Sequence, residues 1–173
     1  MIYSKGRRLK GYENDKFEQQ LFYFLPHKFK LLDSHQRLSF EVAYETFEDV
    51  SITLPEMNGS RTGVFVGISA TDYSHLQFPD INTIDAHTQT GISTSIVANR
   101  LSYFYNLLGP SFIVDTACSS ALVALNCACQ SIRSGESSST FCDGLYKAFD
   151  ASANGYVRSE GAGILLLKPL SNA

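Results

Sequence analysis

The stretch from Ser111 to Gly135 limits what this chain can fold into more than any other. Ser111-Phe112-Ile113-Val114 reads as a strand, and Asp115-Thr116-Ala117-Cys118-Ser119-Ser120 as a tight turn. From Ala121 to Ile132 the pattern is helical and apolar on nearly every face, apart from Asn126, Gln130 and Ser131, and Gly135 ends it. A helix apolar all round is expected in the middle of a molecule. A strand that passes through a short turn into such a helix belongs to a layered α/β arrangement.

The chain is long enough to build one. Its 173 residues suit a single domain, and chains of that size bury about 70% of their unfolded surface. With 44% hydrophobic and 18% charged residues the composition is that of a globular chain, which leaves disordered, collagen-like and repeat classes without support. No apolar run reaches the roughly 18 residues of a membrane span, and no apolar segment follows the first charges as in a secretory signal. A cytoplasmic location without membrane association is expected. The net charge of −3 gives no drive toward nucleic acid, and Lys5, Arg7, Arg8 and Lys10 read as a solvated tail. Cys118, Cys127, Cys129 and Cys142 lack paired CxxC spacing and a neighbouring histidine, so neither a metal site nor a disulfide framework is expected.

Elsewhere the pattern alternates. Residues 1–32 hold charges and the aromatic cluster Phe17, Phe22, Phe24 and Phe29 without a clean period. Asp33 and Gln36 resemble a capping box, and Leu38, Val42, Ala43 and Phe47 predict an amphipathic helix over 34–49 with Glu41, Glu45 and Glu48 outward. Gly63 to Ile68 reads as a buried strand whose glycines permit close backbone approach. A polar connection over 69–90 leads to a helix from Thr90 to Leu108, with Gly109-Pro110 as its stop. Residues 136–146, rich in serine, read as a loop, and Gly161 to Leu167 as a fully buried closing strand. Strands interleaved with helices predict an α/β fold with a mainly parallel sheet.

Cys118 is the residue that carries chemistry in this pattern. A turn between a strand and a helix presents its side chain at the end of a sheet, the arrangement of a nucleophile elbow. The helix N-terminus favours negative charge, and its N–H groups suit a developing oxyanion. A buried structural cysteine is an equally good reading from spacing alone. Cys127 and Cys129 fall inside the helix and read as core, and Cys142 as an exposed bystander.

The residues also match a family. Asp115 to Ser120, with Ala98-Asn99-Arg100-Leu101-Ser102-Tyr103 and Gly109-Pro110-Ser111, resembles the ketosynthase (β-ketoacyl synthase) domain of type I polyketide synthases. Further matches are Asp33-Ser34-His35-Gln36-Arg37, Thr62 to Gly67, Gly135-Glu136, and Lys147 to Asp150 through Gly155 to Gly161. The resemblance covers roughly residues 30–173 and the N-terminal half of the family domain.

The resemblance implies a thiolase-like α/β fold, here its incomplete N-terminal half, and a homodimer as in the family. It implies that Cys118 accepts an acyl chain from the phosphopantetheine thioester of an acyl carrier protein, ahead of a decarboxylative Claisen condensation. Phosphopantetheine enters as the carrier of the substrate, and no bound cofactor is expected. Arg100, Asp115, Arg158 and Glu160 match motif positions and read as charges that hold the elbow, with Thr116 and Ala117 shaping the turn.

Departures from the family pattern qualify this expectation. The family's active-site histidines, in H-G-T-G-T and N-I-G-H motifs, are not met before Ala173, and His27, His35, His75 and His87 lie in no such motif. Without those donors the carbanion left by decarboxylation lacks a stabiliser, so condensation by these residues alone is not expected. The expected division is a divergent lead over 1–32 and a partial ketosynthase domain over 33–173, with the serine-rich joint 136–146 replacing a deleted family segment. The alternative is a non-catalytic remnant or interaction module that keeps the elbow only as inherited sequence.

Overall fold

The computed structural model describes residues 32–69, 88–143 and 161–169. The motifs over 1–31, the polar connection over 70–87, and Arg158 and Glu160 lie outside them.

Helix α1, Ser34–Asp49, has the expected bounds. Asp33 caps it by accepting the His35 N–H at 2.8 Å. Gln36 does not complete a capping box. It is 1% exposed, and its Nε2 donates at 2.8 and 3.0 Å to the carbonyls of Gly91 and Thr90 on another helix. The buried apolar stripe is therefore Phe40, Ala43 and Phe47, while Leu38 and Val42 are only half-buried. Phe40 meets Phe104 edge-on at 5.4 Å between ring centroids, and Phe47 meets Tyr105 and Phe141 at 4.8 and 5.0 Å. A short helix α2, Leu54–Met57, follows.

The helix expected over 90–108 is two helices, α3 (Thr88–Ile92) and α4 (Ser95–Phe104), separated at Ser93 and Thr94. Its stop is also earlier than Gly109-Pro110. The chain turns at Asn106, whose φ is 50°, a left-handed conformation that asparagine tolerates. Gly109 has a different part: a Cβ there would lie 2.5 Å from the carbonyl carbon and oxygen of Thr62, so only glycine lets the chain cross the sheet this closely.

Strands β1 (Thr62–Gly67), β2 (Ser111–Val114), β3 (Ser139–Asp143) and β4 (Ile164–Leu167) form one sheet in the order β2-β1-β3-β4. β1 is parallel to β2 (Gly67 beside Val114) and to β3 (Val66 beside Asp143), and β4 is antiparallel to β3. Alternation along β1 divides the core in two. Val64 and Val66 pack with Phe40, Val97, Leu101 and Phe141 beneath α1 and α4. Phe65 faces the other way and packs with Ala124, Ala128 and Cys142 beneath α5, Ser120–Arg133. The result is the expected α/β architecture with a mainly parallel sheet.

The structure corrects further expectations. Within the serine-rich joint 136–146, residues 139–143 are not a loop but the interior strand β3. Two of the joint's serines bond to neighbouring hydroxyls: Ser139 Oγ lies 2.6 Å from Thr62 Oγ1, and Ser137 Oγ 2.8 Å from buried Ser131 Oγ. Cys142 is correspondingly 2% exposed and no bystander. Its Sγ lies 3.7 Å from the Ala121 carbonyl.

The closing strand β4 is not fully buried, since Leu165 is 49% exposed; it stands at the edge of the sheet formed by the described residues. Likewise α5 is not enclosed. Ser120, Ala124, Ala128 and Ser131 are buried against the sheet, while Leu122 is 72% exposed. Cys127 and Cys129 are half-buried rather than core. Among the described residues a single layer covers this helix, which leaves its apolar far side open.

Candidate active site at the Cys118 elbow

The elbow lies where the parallel strands β2 and β1 end. In open parallel sheets the crevice beyond the carboxyl ends of the strands is where ligands bind, because the chain leaves each strand there and turns back toward a helix. Beyond Val114, Asp115 and Thr116 lead into one 3₁₀ turn, Ala117–Ser119, that runs on into α5. Cys118 sits in this turn, exposed.

Ala117 has φ 54°, which costs an L-residue roughly 1–2 kcal/mol relative to the right-handed region. The reversal is what sets Cys118 beyond the sheet edge in place of continuing the line of β2. Side chains of the same segment hold it in place. Asp115 Oδ1 accepts the Ala117 N–H at 3.1 Å. Ser120 Oγ accepts the Thr116 N–H at 2.9 Å and donates to the Ala117 carbonyl at 2.7 Å. Ser119 Oγ donates to the Thr116 carbonyl at 2.8 Å and to Thr116 Oγ1 at 2.9 Å. The Thr116 and Ala117 amides are thereby engaged inside the turn, so neither is available to an oxyanion.

Gly67, the last residue of β1, sets the position of the elbow against the sheet. A Cβ on Gly67 would lie 2.5 Å from the Ala121 nitrogen and 2.6 Å from the Ser120 carbonyl carbon. The first turn of α5 rests directly on this backbone. The close approach anticipated for the glycines of this strand is thus used to seat the helix that carries the cysteine.

Of the other candidate residues, Asp115 belongs to the elbow itself, while Arg100 and His35 stand on helices of their own. Arg100 donates from Nη2 to the Thr90 carbonyl at 3.2 Å, and desolvation on burial lowers its pKa from the usual arginine value. This bond ties α4 to α3 and not to the elbow that Arg100 was expected to hold. Asp115 is exposed and braces the turn, as expected of a charge that holds the elbow. His35 stands in the first turn of α1, its Nδ1 2.9 Å from Asp33 Oδ1, in the helix layer across the sheet from α5.

Reading along the chain assigned Ser120 no role of its own, and assigned Gly67 the close approach expected of its strand but not the partner that it seats. A serine following a motif cysteine and a glycine ending a strand are common, and their partners lie in backbone that sequence does not show.

The comparisons with known proteins bear on the family and the fold. The family model for the beta-ketoacyl synthase N-terminal domain matches residues 2–146 and 138–173. A hybrid PKS-NRPS synthetase of Emericella nidulans is 39% identical over 181 residues, covering 91% of this chain and 5% of that protein. A probable polyketide synthase of Dictyostelium discoideum is 39% identical over 191 residues, covering 97% of this chain and 6% of its own length. Among solved structures, the ketosynthase from module 6 of the bacillaene synthase of Bacillus subtilis 168 superposes with a TM-score of 0.78 at 31% identity, over 92% of this chain and 31% of that one. The chain therefore spans a small share of its curated relatives and about a third of that ketosynthase chain. Since its parallel sheet and helix layers follow a solved polyketide ketosynthase and the family model covers nearly every residue, the chain belongs to the β-ketoacyl synthase family, as N-terminal-half sequence of a polyketide synthase ketosynthase domain with a thiolase-like fold.

Proposed function

We propose that Cys118 is the acyl acceptor of a polyketide ketosynthase domain. In this reading its sulfur attacks the carbonyl of an acyl thioester carried on the phosphopantetheine of an acyl carrier protein. The carbonyl carbon gains the Cys118 sulfur, the bond to the pantetheine sulfur breaks, and the proton from Cys118 leaves on the released thiol. Decarboxylation of a malonyl-type thioester and condensation with the held acyl group would follow in the complete domain. The observation that carries the reading is the exposed Cys118 in a left-handed elbow at the carboxyl end of a parallel sheet, seated on Gly67.

The test is intact-protein mass spectrometry with peptide mapping, after the chain is incubated with an acyl-pantetheine thioester. One acyl mass on the peptide holding Cys118, absent from Cys118→Ala, is expected. The same mass on the Cys118→Ala protein would overturn the assignment.

A further inference from the structure

We infer that Ser120 is a positioning residue for the Cys118 thiol, which it holds through the backbone without touching the reacting atoms; this rests on the acyl-acceptor reading. Three observations meet at its side chain. Ser120 as a residue is 4% exposed. It bridges the two peptide groups on either side of the reversal, taking the Thr116 N–H at 2.9 Å and giving its proton to the Ala117 carbonyl at 2.7 Å. The residue it clamps, Ala117, is the one with φ 54° and the one immediately before Cys118.

A left-handed alanine persists only where its surroundings over-determine it. Asp115 and Ser119 also bond within this turn, but they are exposed and their bonds compete with water. The Ser120 end of the bridge is buried where α5 packs on Gly67, while Thr116 and Ala117 are themselves exposed, and removing the hydroxyl takes a partner from both peptide groups at once. Ser120 therefore couples the seat of α5 to the direction in which the thiol is presented.

The variants to compare are Ser120→Ala, and Ser120→Thr against Ser120→Val, which are matched in bulk and differ in the hydroxyl alone. Acylation of Cys118 from the pantetheine thioester and hydrogen exchange of the 115–118 amides are measured on the whole chain. Ser120→Ala and Ser120→Val are expected to slow acylation at least about tenfold and to speed exchange of the Thr116 amide by a similar factor, from the loss of the two hydrogen bonds that the Ser120 hydroxyl makes. Ser120→Thr is expected to stay within about threefold of the parent on both readouts, since it keeps the hydroxyl. A merely structural role would loosen exchange and leave the acylation rate of the folded protein unchanged. If Ser120→Ala loses its cooperative unfolding transition, the Thr and Val pair decides.

Parent-like acylation of Cys118 in Ser120→Ala or Ser120→Val overturns the positioning role alone. A parent that takes no acyl group on Cys118 overturns the acyl-acceptor reading, and the positioning role falls with it.

Discussion

Gly67 is a single residue on which both the fold and the candidate site depend. Because an added Cβ would stand 2.5 Å from the Ala121 backbone nitrogen, Gly67→Ala must push α5 off the end of β1. Overpacking of this kind costs about 1–3 kcal/mol. Its denaturation midpoint is expected to fall accordingly, and Cys118 acylation to slow in the protein that remains folded. Parent-like stability would show that α5 yields at no cost. Gln36 is a second such residue, buried at 1% exposure with its amide on the Gly91 and Thr90 carbonyls. Gln36→Leu keeps much of the volume and leaves those carbonyls without this donor, so a loss of about 1–3 kcal/mol in equilibrium unfolding is expected. The sequence announced Gln36 as a helix-capping residue; its true partners are 55 positions away for Gly91, beyond what local pattern reports.

The elements themselves were largely legible. Helix α1 was readable because its apolar spacing and Asp33 cap are local properties. β1 and β2 were readable because short β-rich runs bounded by glycine or proline leave few alternatives. β3 was hidden, since serine and threonine suit a turn unless neighbouring hydroxyls receive them, and here Thr62 and Ser139 pair across two parallel strands. The short helix α2 carries a local device that is testable by pH. The Thr53 N–H and hydroxyl both donate to Glu56 Oε2, at 2.6 and 2.7 Å. These bonds favour the charged carboxylate and hold Glu56 below its ordinary value of 4.5. A carboxyl lowered on folding contributes stability that is fully present above its unfolded value and is lost as pH falls through the folded one. Titrating the denaturation midpoint from neutral pH downward, the parent is expected to exceed Glu56→Gln at neutral pH and to converge with it in acid. Parallel curves would remove the capping box from the account.

At the scale of the whole molecule, β3 joins the two halves of the core. Phe141 packs beneath α1 against Phe47, and the next residue, Cys142, packs beneath α5 with Phe65 and Ala124. Phe141→Ala is expected to cost about 3–5 kcal/mol, a large part of the stability of an ordinary domain, as read by its denaturation curve. Thiol labelling gives a second test of the same arrangement. With a limiting alkylator Cys118 is expected to react first and Cys142, at 2% exposure, only on global unfolding; equal rates at both would mean that β3 is not seated between β1 and β4. No helix among the described residues is long and apolar enough to cross a membrane.

The α/β class, the strand-turn-helix around Cys118 and the family resemblance were legible along the chain, because periodicity and a contiguous motif are local properties of sequence. Packing, by contrast, settled that the serine run enters the sheet, that Cys142 is core, that α5 is covered on one side among the described residues, and that Ser120 and Gly67 bond or abut the backbone of the elbow. Each of these depends on what a side chain or backbone atom meets across the fold, and burial and hydrogen-bond partners are properties of the packed chain.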